Sequence, residues 1–285
     1  MVKIISDSTS DLSQDLLDRY NITLVPLIVR LGDQQYEDRV NITSEEIFRW
    51  SDSTKKAPTT ACANVWTIQE VFQKYLETYD EIVAFSISGK MSATGANMVE
   101  AAAEMGASAR IHVVDSQSLS TGIGLLVLEA AELAQNGQLT AQEIQQRMEQ
   151  RRELLDVSFL VEQLGYLRKG GRCSSVAALG ANMLSLRPCI QVKDGKMGVG
   201  KKYRGAYQKC LLQYVKDRLE GRDDIDLRRI FITESGGFTP EEVAEVETAV
   251  RSYQPFEEVL HTRAGCTVSS HCGPGTIGVL FLYER

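Results

Sequence analysis

The sequence predicts a two-domain α/β protein, in which a three-layer domain with a parallel sheet precedes an α+β domain with a mixed sheet. Its 285 residues are enough for two domains of ordinary size. The first half alternates apolar strand-like runs with longer helical patterns, which is typical of parallel strands joined by crossover helices. The pattern changes near Asn136-Gly137, and a hairpin signal follows. We therefore expect domains spanning residues 1–150 and 151–285.

Four strands and four helices are predicted before this change of pattern. The strands are Lys3–Ile5, Thr23–Val29, Ile82–Ser86 and Arg110–Val114. The helices lie near Ser10–Tyr20, Thr67–Tyr79, Ser92–Met105 and Gly122–Ala134. The polar stretch Gly32–Lys56 interrupts the alternation and is predicted to be an excursion from the sheet.

The second half begins with a strongly charged helix at Thr140–Leu155, which has a capping-box spacing at its start. Arg187–Val192 and Lys196–Lys201 are predicted to form a hairpin, because Asp194-Gly195 between them is a strong turn signal. The remaining predicted elements are a helix at Ala206–Leu219, a strand at Arg229–Thr233, a helix at Pro240–Tyr253 and strands near Glu257–Thr262 and Ile277–Tyr283.

The charge balance argues against a nucleic-acid partner. Lys and Arg number 31 against 38 Asp and Glu, so the net charge of −7 repels polyanions. Ser6 and Asp7 follow only a few apolar residues, which are too few for a signal-peptide core. The apolar stretch Gly122–Ala134 contains Glu129 and falls short of a bilayer span. We expect a cytoplasmic protein with no integral membrane span.

The six cysteines contain no C-x-x-C pair, so the sequence indicates neither a disulfide scaffold nor a zinc knuckle. Cys266 and Cys272, with His271 beside the second, form the one cluster that suggests a metal. Two thiols and one imidazole at this spacing are weak evidence, and a loop with small buried thiols is the favoured interpretation. No metal site is predicted.

Three predicted strands end in loops rich in hydroxyl groups. The loops are Ser6–Ser10, Ser86–Thr94 and Asp115–Ser120. The carboxyl ends of parallel strands share one edge, where open α/β folds bind ligands, and each loop leads into a helix N-terminus that favours an anion. A single serine there is more often a helix N-cap. The three loops together favour an anion-binding cleft. The serines concerned are Ser10, Ser92 and Ser120.

Recognised catalytic signatures are missing from these loops. Gly89–Gly95 has the wrong spacing for a nucleophile elbow, and Gly89-Lys90 is followed by Met91 rather than by the hydroxyl of a P-loop. His112 and His261 fall within predicted strands. His271 opens a glycine-rich turn that could bring its imidazole to a ligand, or could be an ordinary hairpin turn.

Short motifs are spread over nearly the whole chain. In the first half they are Ile5–Leu12, Val25-Pro26-Leu27 with Gly32, Tyr36 and Asp38, Pro58-Thr59-Thr60, Met91-Ser92-Ala93-Thr94, and Asp115-Ser116 with Ser120, Gly122 and Gly124. In the second half they are Leu164–Arg172, Lys202-x-Arg204-Gly205 and His271-x-Gly273-Pro274-Gly275. Each motif is short, but together and in this order they resemble the motifs of the DegV family of fatty-acid-binding proteins.

The resemblance implies a carrier that holds one long-chain fatty acid, of about 14 to 18 carbons, in a tunnel between its two domains. The family's carboxylate contacts correspond here to Thr60, Ser92, the backbone at Ala93 and the nearby His271. Members that act as carriers deliver the acid to a fatty acid kinase, which makes acyl-phosphate for phospholipid synthesis. Arg204 has two equally favoured interpretations. It occupies a position expected to face that kinase, or it is a charge on a solvated hairpin edge. Neither a catalytic residue nor a cofactor is implied.

The chain departs from the family's pattern around the expected carboxylate. Ala61-Cys62-Ala63 replaces the usual Ser-Gln-Pro after the threonine, Ala93 replaces a glycine, and Gly95 stands where an aromatic residue is common. The missing hydroxyl at Ala61 could remove one donor from the carboxylate.

Two other functions fit the same residues. An enzyme, either a phosphotransferase or an esterase, could use Ser92 and His271 if the imidazole reached the hydroxyl and a carboxylate oriented the ring. A regulatory protein could bind a lipid that merely stabilises it.

Overall fold

The computed structural model describes residues 1–177 and 186–284. In chain order, its first half contains β1 (Val2–Asp7), α1 (Gln14–Arg19), β2 (Thr23–Val25), β3 (Ile28–Leu31), β4 (Gln34–Glu37), α2 (Ser44–Thr54), β5 (Thr59–Ala61), α3 (Val65–Leu76), β6 (Glu81–Ser86), α4 (Thr94–Glu104), β7 (Ile111–Asp115), α5 (Thr121–Asn136) and α6 (Ala141–Arg151). The second half contains β8 (Leu155–Val161), α7 (Leu164–Gly170), α8 (Ser174–Ala177), β9 (Leu186–Lys193), β10 (Lys196–Arg204), α9 (Tyr207–Leu219), β11 (Ile225–Glu234), α10 (Pro240–Tyr253), β12 (Glu258–Arg263), α11 (Cys266–Cys272) and β13 (Thr276–Tyr283).

The N-terminal domain has three layers around a parallel sheet of order β2-β1-β6-β7. Alternate side chains of its strands point to opposite faces. Ile5 and Ile82 pack with the buried residues of α3 and α4, whereas Ile4 and Val83 pack with those of α5 and α6. This confirms the predicted three-layer architecture.

Helix α5 lies between the two domains. Every residue from Thr121 to Leu128 is buried, because α5 contacts β1 on one side and β8, β11 and β13 on the other. Its side chains share one apolar cluster with Phe159 of β8 and Leu280 of β13. A helix that is apolar all round is a buried one, which explains the long apolar run in the sequence.

The C-terminal domain contains a mixed sheet of order β10-β9-β8-β13-β11-β12. Neighbouring strands in this sheet are antiparallel, except for β11 and β12, which are parallel. One face packs on α5, and α9 and α10 cover the other with Tyr214 and Val246 among their buried residues. The hairpin predicted at Asp194-Gly195 is confirmed, with Lys193 opposite Lys196.

Several predicted boundaries are wrong for identifiable reasons. The single strand predicted at Thr23–Val29 breaks around Pro26, so that β2 joins the parallel sheet and β3 pairs antiparallel with β4 and β5. The first helix begins at Gln14 because Ser8–Ser10 form a 3-10 turn that ends on a left-handed Asp11 (φ 51°). The charged helix ends at Arg151, not at Leu155, and a 3-10 turn leads from it into β8.

Other elements were missed by the sequence analysis. The polar excursion contains β4 and α2, and α2 begins at a capping box that Thr43 and Glu46 form. Strands β5 and β8 and the short helices α7, α8 and α11 were also not predicted. The last of these carries a residue of the candidate site.

Candidate functional site

The three hydroxyl-rich loops converge at the carboxyl edge of the parallel sheet, as predicted. The N–H of Ile87 donates to Asp7 Oδ2 (2.7 Å), which joins the loops after β6 and β1. The N–H of Ser88 donates to the carbonyl oxygen of Ser118 (2.9 Å), which joins the loops after β6 and β7. This edge faces the C-terminal domain.

A cavity of about 450 Å³ lies beside this edge. All four residues predicted to contact a carboxylate line it, and these are Thr60, Ser92, Ala93 and His271. Its exposed lining residues are Gly89, Lys90, Ala93 and Arg172, which therefore mark its mouth. Its interior is largely apolar and buried, and is lined by Leu27, Ile87, Met91, Leu119, Met197 and Val268.

Thr60 and His271 are in direct contact. Thr60 lies on β5, where it pairs with Val29 of β3, and its Oγ1 is 2.8 Å from His271 Nε2. His271 was predicted to open a sharp turn, and this prediction is wrong. His271 belongs to the last turn of α11, and the turn begins only at Gly273, whose φ of 72° ends the helix.

The imidazole of His271 is neutral near pH 7. Burial lowers its pKa to about 4, and the positive charge of Arg172 adds to this effect. Its Nδ1 is buried without a hydrogen-bond partner among the described residues. Gly170, the last residue of α7, packs so closely that an added Cβ would lie 2.3 Å from this nitrogen. A side chain at position 170 would therefore collide with the imidazole ring in its present position.

Ser92 and Ala93 lie at the N-terminus of α4, where unpaired N–H groups favour an anion. Ala93 is the N-cap residue, and Ser92 precedes it. Ser92 Oγ accepts from the N–H of Thr94 (3.3 Å) and lies 2.9 Å from Thr94 Oγ1. Ser92 is thus outside the N-cap position, but it still satisfies one N–H group of the helix.

One departure from the family pattern, Gly95, has a local explanation. Helix α4 approaches β6 so closely there that an added Cβ would lie 2.5 Å from Ser86 Oγ, and a side chain would have to displace this hydroxyl. Ala61 and Cys62 line the cavity without a hydroxyl group. Asn97 Nδ2 donates to the carbonyl oxygen of Ala63 (2.7 Å), which ties the loop after β5 to α4. The two segments that carry Thr60 and Ser92 are therefore held together.

Helix α11 is held by two buried aspartates of the N-terminal domain, and neither was predicted to be a site residue. Asp11 Oδ1 accepts from the N–H of Gly265 (2.7 Å), and Asp38 Oδ1 accepts from the N–H of Cys266 (2.7 Å). Burial raises the pKa of Asp11 to about 7, although hydrogen bonds from Ser120 and Gly265 oppose the shift. Burial likewise raises the pKa of Asp38. The available signal was the position of Asp11 within the motif Ile5–Leu12 and of Asp38 after Val25-Pro26-Leu27.

The hairpin turn between β9 and β10 packs on the loop after β6. Ser88 Oγ donates to the carbonyl oxygen of Gly195 (2.7 Å), and Lys90 Nζ donates to that of Asp194 (2.6 Å). These contacts bring Met197 of β10 to the cavity wall. Both domains therefore line the cavity.

Among the described residues, Ser92 and His271 are not arranged as an enzyme that used both would need. The hydroxyl contact of His271 is Thr60, whereas Ser92 pairs with Thr94. Within residues 1–177 and 186–284, neither ring nitrogen of His271 has a carboxylate partner. The sequence-predicted Ser10 is buried behind the edge and does not line the cavity, and Ser120 donates to Asp11 Oδ2 (2.6 Å).

The remaining candidates lie elsewhere. Arg204 is exposed at the end of the edge strand β10, outside the cavity lining. Cys266 donates to the carbonyl oxygen of Ile42 (3.2 Å), at the opposite end of α11 from Cys272. Across the described part of the chain, no group of three His, Cys, Asp or Glu side chains is placed to hold a metal ion. None of the helices in that part is long and apolar enough to span a membrane.

Comparison with known proteins identifies relatives along nearly the whole chain. The family model described as "Uncharacterised protein, DegV family" matches residues 1–284. A DegV domain-containing protein of Caldanaerobacter subterraneus subsp. tengcongensis is 31% identical over 281 residues, which cover 98% of each chain. These matches span both domains and the cavity between them.

Solved structures share the same fold. A DegV family protein from Thermus thermophilus, described by its fatty acid binding, is 33% identical with a TM-score of 0.86 over 99% of both chains. A stearic-acid-binding protein from Eubacterium ventriosum is 26% identical with a TM-score of 0.84, covering 100% of this chain and 99% of that one.

Proposed function

Since the chain belongs to the DegV family, we propose that it binds one long-chain fatty acid in the cavity between its domains and presents the carboxylate to a fatty acid kinase. The observation that carries the proposal is the division of the cavity into a buried apolar interior and a hydroxyl-lined region at the start of α4. The fatty acids bound by the Thermus thermophilus and Eubacterium ventriosum relatives support the choice of ligand.

The apolar interior suits an acyl chain. A cavity of about 450 Å³ falls within the range of roughly 300–1,000 Å³ that small-molecule sites occupy. An acid of about 14 to 18 carbons gains about 0.8 kcal/mol per buried methylene, or roughly 10–14 kcal/mol in all. This gain exceeds most of the range of about 4–15 kcal/mol that association costs. Affinity therefore comes mainly from the tail.

Thr60 and Ser92 each keep one proton available for a carboxylate. A hydroxyl group has one donor and two acceptor sites. Because the His271 ring is neutral, Nε2–H can donate to Thr60 Oγ1 and leave the threonine proton for the ligand. Thr94 can donate to Ser92 Oγ in the same way. We propose that these two hydroxyls, with the N–H groups at the start of α4, hold the head group.

The charges near the cavity favour an anionic head group without enclosing it. Lys90 and Arg172 are exposed at the mouth, where their positive charges attract an acid. Neutral hydroxyl donors bind a carboxylate less tightly than a bidentate arginine does. A head group held in this way stays reactive toward a phosphoryl donor on a second protein.

Arg204 is proposed to contact the kinase rather than the fatty acid. It lies seven positions beyond the cavity residue Met197 along β10, which corresponds to about 23 Å at roughly 3.3 Å per residue. The neighbouring Lys201 pairs with Asp217, whereas Arg204 and Lys202 are exposed. A basic surface outside the cavity, on the strand that also reaches its wall, fits contact with an acidic partner.

Acyl-phosphate formation tests both parts of the proposal. A bacterial fatty acid kinase is incubated with ATP and palmitate, with and without this protein, and acyl-phosphate is trapped with hydroxylamine. We expect product only when the protein is present. A protein that binds palmitate tightly but supports no acyl-phosphate formation would instead be a lipid-stabilised regulatory protein. A protein that does not bind palmitate would contradict the whole proposal.

A further inference from the structure

Ser88 is buried, and all of its polar groups are hydrogen-bonded. Its N–H donates to the carbonyl oxygen of Ser118 (2.9 Å), in the loop after β7. Its hydroxyl donates to the carbonyl oxygen of Gly195 (2.7 Å) and accepts from the N–H of Lys90 (3.2 Å). Its carbonyl oxygen accepts from the N–H of Ser92 (3.1 Å). Ser88 thus joins two loops of the N-terminal domain to the hairpin of the C-terminal domain.

The backbone from Ser88 to Ser92 forms a single turn. The N–H groups of Met91 (2.9 Å) and Ser92 both donate to the carbonyl oxygen of Ser88. Ser92 then precedes the N-cap residue of α4, and its hydroxyl contacts Thr94 in the first turn of that helix. The position of Ser92 Oγ on the cavity wall therefore depends on where Ser88 holds the start of the turn.

The contact with Gly195 makes this turn depend on the C-terminal domain. Gly195 is the buried second residue of the turn between β9 and β10, and an added Cβ there would lie 2.6 Å from Ser88 Oγ. Loss of the Ser88 hydroxyl would leave the Gly195 carbonyl oxygen without this donor. A buried polar group without a partner is costly, so the hairpin and the turn would shift apart to find new partners.

We propose that Ser88 is a positioning residue for the head group, which holds Ser92 in place for the carboxylate and is itself held by the C-terminal hairpin. This inference rests on the proposed function, because it assumes that Ser92 Oγ donates to the carboxylate. Ser88 is not among the described residues that line the cavity. It therefore acts on the ligand through Ser92, whereas Thr60 and His271 line the cavity themselves.

A double-mutant cycle tests whether Ser88 acts through Ser92. Palmitate dissociation constants are measured by isothermal titration for delipidated wild type, Ser88→Ala, Ser92→Ala and the double variant. We expect each single change to lower affinity about tenfold. The double variant should bind no more weakly than Ser92→Ala, because residues that act through one contact are not additive.

The matched control is Ser86→Ala. Ser86 is equally buried at the end of β6, but its hydroxyl has no hydrogen-bond partner within the described part of the chain. The same substitution there should leave palmitate affinity at the wild-type value. A second variant, Gly195→Ala, disturbs the Ser88 contact from the other domain and replaces Ser88→Ala in the cycle if that protein does not fold.

A neutral ligand separates positioning of the head group from a general loss of structure. 1-Hexadecanol has as many carbons as palmitate but no carboxylate, so its affinity comes mainly from the apolar interior. Ser88→Ala should bind it within about twofold of wild type, since the tail contacts are unchanged. A general disturbance of the cavity would weaken both ligands equally.

Four outcomes would overturn the inference. Ser88→Ala binds palmitate like wild type, its loss adds in full to that of Ser92→Ala, or its loss is equal for palmitate and hexadecanol. The fourth is wild-type affinity in Ser92→Ala, which would leave Ser88 nothing to act through. Each of these leaves fatty acid binding itself intact. Failure of wild-type protein to bind palmitate would instead remove the proposed function.

Discussion

Thr60 Oγ1 lies 2.8 Å from His271 Nε2, although 211 residues separate them in the sequence. The contact joins a short strand of the N-terminal domain to a short helix that follows β12 of the C-terminal sheet. Burial keeps the imidazole neutral by lowering its pKa to about 4. The pair therefore links the two domains at the point where we place the head group of the ligand.

Removing the Thr60 hydroxyl should weaken fatty acid binding without unfolding the protein. Thr60→Val keeps the shape and the β propensity but loses a hydrogen bond to a charged group, which is worth about 1.5–3 kcal/mol. We expect palmitate affinity to fall about 10- to 100-fold by isothermal titration. Thr59→Val, on the exposed neighbouring residue of the same strand, should bind like wild type. Equal affinities in both variants would show that Thr60 does not contact the carboxylate.

Gly170 should be intolerant of a side chain, unlike Gly165 in the same helix. A Cβ at Gly170 would lie 2.3 Å from His271 Nδ1, whereas a Cβ at Gly165 would meet nothing within 4 Å. Overpacking of this kind costs about 1–3 kcal/mol. Gly170→Ala should bind palmitate about tenfold more weakly, while Gly165→Ala should keep its affinity and melt at the same or a slightly higher temperature. Wild-type palmitate affinity in Gly170→Ala would contradict the close contact between Gly170 and the His271 ring, or the role of that ring in binding.

Asp11 should make the protein less stable as the pH rises. Its folded pKa of about 7 lies above the unfolded value of about 3.9, so its contribution is fully present below pH 4 and is lost as the pH rises through 7. Relative to Asp11→Asn, the wild-type free energy of unfolding should fall by about 2–3 kcal/mol between pH 5 and pH 8. Titrating groups that do not interact with Asp11 cancel in the difference. Urea unfolding at several pH values measures it.

The control for Asp11 is Asp33→Asn, because Asp33 is exposed. Its difference from wild type should stay constant over the same pH range. A constant difference for Asp11→Asn as well would mean that Asp11 is ionised throughout that range in the folded protein.

Arg204 should matter to the kinase and not to the ligand. It is exposed and lies outside the cavity lining. Arg204→Ala should bind palmitate like wild type but lower kcat/KM for acyl-phosphate formation about tenfold or more, as loss of one well-placed interface charge costs roughly 2 kcal/mol. Lys209→Ala, another exposed cation of the same domain, is the control. Unchanged kcat/KM in Arg204→Ala would favour the other interpretation, in which Arg204 is only a charge on a solvated hairpin edge.

Much of the fold could be predicted from local patterns. Helix α10 was predicted with its observed bounds, and the hairpin at Asp194-Gly195 followed from its turn residues. The long apolar run of α5 was recognised as a helix, although its burial between two sheets depends on contacts that no local pattern contains. Helix α11 was missed because its seven residues carry no amphipathic pattern. Aspartates far away in the sequence hold its first N–H groups.

The candidate site could be predicted only in part from the residues themselves. The convergence of the hydroxyl loops followed from the geometry of a parallel sheet. Thr60 and His271 were selected by resemblance to a family, since nothing local brings a residue of β5 to one of α11. The apolar lining residues, such as Leu119 and Met197, are patterned like ordinary core residues. Their role depends on a space that only the packing of two domains creates.

The lipid released from the freshly purified protein tests the central claim most directly. The protein is denatured in organic solvent, and the extract is analysed by mass spectrometry beside a mock preparation. We predict close to one long-chain fatty acid per protein molecule, and a rise in the melting temperature when palmitate is returned to delipidated protein. Recovery of no acyl chain, together with an unchanged melting temperature in the presence of palmitate, would contradict the account.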